Sequence, residues 1–169
     1  MGACIISKIS DGNSFVRFAA FLLFLTATTP IVHAQEREWS LNASEKEAFL
    51  VFGVPDSDDV GISFWCEIGS NKTSIFINDG PAELKQNQGT KITVSVDSKM
   101  FSVKARAALD RQGGRPSLEG QMTNADPLLK AAETGDVLKV TVLSQIHTYP
   151  LVDADFIGLH RNCASDSLN

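Results

Sequence analysis

Cys66 and Cys163 are the residues of this chain with the most specific chemistry open to them. A Cys-x-x-Cys spacing is absent, so redox catalysis is not expected of either thiol. A disulfide is the favoured state and a metal pair or reactive thiol the competing one. An acidic loop offers a second candidate. Asp56, Asp58, Gly61 and Glu67 fall at positions 1, 3, 6 and 12 of a calcium-loop register, a spacing that would gather hard oxygen ligands around a glycine bend. Position 5 of that register is Val60, which has no side-chain oxygen. The stretch 62–68 also alternates as a strand where the motif needs a helix. A solvated acidic turn is therefore expected, with no metal site.

Histidine offers little more. Beyond residue 34 only His147 and His160 remain, and with Asp153 or Asp155 they match no known zinc spacing. Two ordinary histidines are expected. Gly-x-Ser-x-Gly, His-Glu-x-x-His and Ser-x-x-Lys are all absent. Carboxylates are abundant enough that a glycosidase-like pair stays open, since their separation in space is not written in the sequence. Gly113-Gly114, flanked by Arg111 and Arg115, could hold an anion but reads first as a loop. No catalytic residue, metal ligand or cofactor is assigned. The remaining candidates are aromatic. Trp65 and Phe76 fall on the strand faces opposite Phe64 and Ile75. Together with Trp39 they are either core or an exposed patch of the kind that marks a binding surface.

The elements that must position these residues are mostly strands. Strand patterns cover 39–42, 47–52, 61–68, 72–78, 89–97, 100–107, 117–122, 137–143 and 145–151. The clearest is the hairpin in which Ile92, Val94 and Val96 alternate with Lys91, Thr93 and Ser95, followed by Phe101, Val103 and Ala105 against Ser102, Lys104 and Arg106. Asp126, Pro127 and Gly135 carry the signals for a short helix. Asp153 is the expected cap of a second helix, on which Phe156, Leu159, His160 and Cys163 share one face. The expected fold is mainly β: an antiparallel sandwich or partly closed barrel of seven to nine strands, with two short helices and one disulfide tying the last helix to the strand bearing Cys66.

The first 34 residues read as a targeting device. Lys8 and Arg17 supply a positive n-region, 18–32 is largely apolar, and Val32-His33-Ala34 suits a signal peptidase. The apolar run falls short of the ~20 residues that a spanning helix needs. A cleaved secretory signal is expected over 1–34, with an uncleaved anchor as the rival. A single β-rich domain is expected over 35–163 and a frayed tail over 164–169. Cys4 would leave with the signal. Cleavage also removes Lys8, Arg17 and Asp11 and moves the formal net charge from −5 to −6. That balance argues against nucleic acid or an anionic membrane surface as a partner, and no integral membrane segment is expected after cleavage. Export leads to an oxidising compartment, periplasmic or secreted, where Cys66 and Cys163 are expected to pair.

A leader, a small β-rich domain, an early cysteine in Phe64-Trp65-Cys66 and a late one at Cys163 together resemble small exported proteins of Gram-negative bacteria. Within that group the layout over 39–163 is similar to the membrane-bound or periplasmic inhibitors of c-type lysozyme, β-barrels with a disulfide joining start to end. The resemblance is architectural. That family's inhibitory loop centres on a Ser-Gly stretch, whereas the corresponding Asp97-Ser98-Lys99-Met100-Phe101 has no glycine, so no functional residue carries over. The resemblance implies a non-enzymatic exported protein that binds an envelope or host macromolecule, protein or polymer. A structural or stress-related envelope factor and a hydrolase with unassigned carboxylates are the alternatives.

Overall fold

The computed structural model describes residues 36–108 and 114–164, all within the compact unit Ala34–Asn169. The expected leader over 1–34, positions 165–169 of the expected tail 164–169, and the Arg111–Gly113 part of the Gly-Gly loop lie outside the described residues. Alternation becomes strand wherever the sequence shows it. Nine strands form: β1 Glu38–Ala43, β2 Glu47–Gly53, β3 Val60–Glu67, β4 Lys72–Ile77, β5 Gly89–Val96, β6 Lys99–Ala108, β7 Ser117–Thr123, β8 Val137–Val142 and β9 Gln145–Pro150. Helix α1 spans Pro127–Ala132 and α2 spans Phe156–Cys163. The strands make one sheet in the order β1-β2-β3-β4-β7-β6-β5-β8-β9. Every neighbouring pair is antiparallel.

One sheet with two faces cannot be a sandwich. It curls on itself into a partly closed barrel, the second of the two expected architectures. Twist makes a long sheet curl, and the inner face supplies the reason to close. Leu50, Ile62, Phe64, Ile75, Ile77, Ile92, Val94, Leu118, Leu138 and Val140 are fully buried on it. The edge strands β1 and β9 share no ladder and meet through side chains instead. The Trp39 indole donates Nε1–H to the Pro150 carbonyl at 2.5 Å, and Tyr149 packs edge-on against Phe52 with ring centres 5.6 Å apart. Burial pushes the Tyr149 hydroxyl up to about 12, which keeps the phenol neutral beside the Gly61 carbonyl that it faces.

Helix α2 packs on β1, β2 and β3. Phe156 enters a cluster with Trp39 and Phe64, at centroid distances of 5.8 and 4.9 Å. Gly158 permits the approach, since a Cβ there would sit 2.6 Å from Leu41 Cδ2. The cap of α2 is Asp155, which accepts from the Gly158 N–H at 2.7 Å. The expected cap, Asp153, lies in the preceding turn at φ 63°. The cap belongs to the residue whose carboxylate reaches the third amide into the helix, and Phe156 begins the helix. At the other end, the N–H groups of Gly69 and Asn71 in the β3–β4 turn bind the Asn162 and Cys163 carbonyls, satisfying acceptors that a helix end leaves open. Asp126 caps α1 through the Leu128 N–H at 2.9 Å, as expected. Among the described residues no helix is long and apolar enough to cross a membrane.

The Cys66–Cys163 disulfide joins the end of β3 to the end of α2 across 97 positions. Cys66→Ser should lower unfolding free energy by ~2–5 kcal/mol, read from denaturant curves of oxidised wild type and variant. Coincident curves would contradict a stabilising staple. A second tie links the helices. The largely covered Glu133 carboxylate accepts from Lys130 Nζ at 2.6 Å and faces His160 Nδ1 at 3.1 Å. The hydrogen bond from Lys130, and after it that from His160, hold the carboxyl below its usual range against the opposing effect of burial. A carboxyl depressed on folding contributes stability that is complete above its unfolded value of about 4.3 and is lost as pH falls through the folded value. Glu133→Gln should therefore flatten the acid limb of the stability–pH curve below about pH 4.3. Identical acid limbs in the two proteins would contradict the tie.

Candidate functional site

With the inner face of β2, β3 and β4 occupied by Leu50, Phe52, Ile62, Phe64, Ile75 and Ile77, the alternate residues of these strands must face outward. Register then decides which of them meet. Phe49 stands opposite Trp65, and Trp65 opposite Ser74. One step along, Val51 stands opposite Ser63, Ser63 opposite Phe76, and Phe76 opposite Glu119 of β7. The Phe49 and Trp65 rings stack with centres 6.1 Å apart and planes 19° from parallel. Phe49, Val51, Trp65 and Phe76 are all half-buried, while the serines among them, Ser63 and Ser74, are buried. Large rings flank short side chains, and the result is a low aromatic platform on the outside of the barrel.

The three aromatic candidates from the sequence are not all together. Trp65 and Phe76 share this platform. Trp39 lies on the inner face, 7% exposed, packed at tilted and edge-on angles among Phe52, Phe64 and Phe156. Its partner across the strands is Phe52, an inward residue, so Trp39 belongs to the core. Phe49 takes its place on the outside. Phe49 lay within an expected strand, but its opposition to Trp65 depends on the β2–β3 register, which includes an irregularity at Phe52/Gly53.

The remaining candidates disperse. Asp56 and Asp58 sit in the loop before β3, while Glu67 ends that eight-residue strand, about 23 Å away along an extended chain. The calcium register is thus broken by the strand. Asp59 is paired with Arg37, and the hydrogen bond that Arg37 donates to the Asp59 carboxylate raises the guanidinium above its ordinary value. A hollow of about 440 Å³ is lined by Asp58, Asp59, Asp79 and Arg115 together with Phe76 and Ser117; no histidine lines it. His147 lies in β9 stacked on Tyr149, and His160 lies in α2 against Glu133. Its ring sits at the margin of the helix's packed face, half-exposed. Among the described residues, no group of three or more His, Cys, Asp or Glu side chains is arranged to hold a metal ion.

Chemically, the outer platform can do what stacked aromatic rings on a rigid sheet do. It offers flat apolar area at small entropic cost, with polar edges from Glu119 and Gln121 across β7. The hydroxyl groups within it, Ser63 and Ser74, are buried. Comparison with protein-family models, with curated proteins and with solved structures gives no match for this chain.

Proposed function

We propose that the chain is an exported, non-enzymatic binding protein of the periplasm or exterior, and that it engages an envelope or host macromolecule through the outer face of β2, β3 and β4. The observation that carries this reading is the Phe49–Trp65 stack with Phe76 beside it. These rings sit where the core does not need them and where a stable monomer gains most from polar residues. A disulfide that staples the last helix to the barrel suits an oxidising compartment. A lysozyme-inhibitor-like protein is one version, and a formal net charge of −5 would steer such a chain toward a basic enzyme.

The test is capture from envelope extract and host secretions by the oxidised protein, read by mass spectrometry. Wild type should retain a stoichiometric partner. Trp65→Ala should lose it, with affinity weakened about thirtyfold or more, the effect of removing an interface anchor. An empty capture by folded wild type would contradict the reading and favour a structural envelope role. Undiminished capture by Trp65→Ala would move the contact off this face.

A further inference from the structure

Seven non-glycine residues among those described have a positive φ. Six are Asp56, Asn71, Asp79, Asn87, Asp97 and Asp153, types whose short polar side chains tolerate the left-handed region. The seventh is Leu143, at φ 52°. It occupies the tight turn between β8 and β9, a position where Gly, Asn or Asp is the easy choice. Burial gives nothing back, because Leu143 is 59% exposed. Ile146, beside it on β9, is 66% exposed. Ile146 stands opposite Thr141, between the buried Val140 and Val142, and so points outward. Two branched aliphatic side chains thus stand at a hairpin tip where the fold has no use for them.

Charge gathers next to this tip. The β5–β8 ladder ends where Thr93 pairs with Thr141, and Lys91 lies two residues beyond Thr93 on β5, toward the tip end of the ladder. Lys91 is directly opposite Lys104, an arrangement that destabilises a sheet. Arg106 follows Lys104 by two positions and shares its face, opposite Gly89, which has no side chain. All three cations are exposed, and among the described residues none makes a salt bridge. Glu119 on β7, opposite Arg106, is the one acidic side chain among the described residues that lines the same shallow groove. This cluster belongs to a chain whose formal net charge is −5.

We propose that the β8–β9 hairpin tip and the adjoining Lys91, Lys104 and Arg106 dock the protein on an anionic lipid surface. Leu143 and Ile146 would enter the headgroup layer while the three cations face lipid phosphates. The aliphatic pair decides for lipid over a soluble polyanion, which would engage the cations and leave Leu143 idle. Repulsion from the acidic remainder is screened beyond about 8 Å at physiological salt, so the local patch governs contact. The cations lie on β5 and β6 and the aromatic rings on β2, β3 and β4, with Glu119 and Gln121 of β7 between them, and the lipid reading does not rest on the rings.

Co-sedimentation of the oxidised protein with vesicles tests this, using equal parts phosphatidylglycerol and phosphatidylcholine against phosphatidylcholine alone. Wild type should bind the anionic vesicles only, and less as salt rises. Leu143→Asn should weaken binding at least about fivefold, while its unfolding midpoint stays level or rises, because Asn suits the turn. Lys104→Glu should weaken binding more than about tenfold. The proposal is overturned if wild type ignores anionic vesicles. It is equally overturned if Leu143→Asn binds like wild type, including the case where Lys104→Glu alone loses binding, which would mark a polyanion site.

Discussion

The indole of Trp39 joins the two edges of the sheet, and the inside of the barrel is arranged around that joint. Strands β1 and β9 leave their outermost backbone groups without a ladder, the condition that exposes a sheet to pairing with other chains. Trp39 spans the gap by donating to the Pro150 carbonyl, and Tyr149 reaches back against Phe52 and Gly61. The same ring gives Phe52, Phe64 and Phe156 a common packing partner. That is how α2 is recruited to the inner face. The Cys66–Cys163 bond and the amides of Gly69 and Asn71 then hold α2 from its other end.

Packing takes up the inner face, and the proposed recognition uses the outer one. The outer residues of β2, β3 and β4 carry aromatic rings, and those of β5 and β6 carry cations. The difference follows from which side chains the alternation leaves outside on each strand. The barrel holds both sets rigid, so the aromatic and the cationic regions occupy fixed and separate places along the strand order.

The strands were legible because alternation is local: Ile92, Val94 and Val96 declare an inner face without reference to anything else. The choice between sandwich and barrel was not legible. It depends on β4 pairing with β7 and β5 with β8, contacts between segments far apart in the chain, and either architecture gives each strand one dry face and one wet face. The disulfide needed only that Cys66 and Cys163 are the two cysteines beyond residue 34. Trp39 shows the limit at the site. It falls in a strand pattern of four residues, 39–42, too short to say which of its faces meets the core. Phe49 required register, which no periodicity supplies. Leu143 required the backbone itself, since nothing in Leu143-Ser144 announces a left-handed turn.

The central claim is that Trp39 is sealed inside while Trp65, Phe49 and Phe76 form the working outer face. Hydroxyl-radical footprinting of the native oxidised protein, free and then in the extract that supplies its partner, addresses both halves at once. The account predicts rapid oxidation of Trp65 and protection of Trp39 in the free protein, with Trp65, Phe49 and Phe76 becoming protected in the extract. Oxidation of Trp39 as fast as that of Trp65 would contradict a sealed inner face, and an unchanged Trp65 rate in the extract would contradict the outer face as the place of binding.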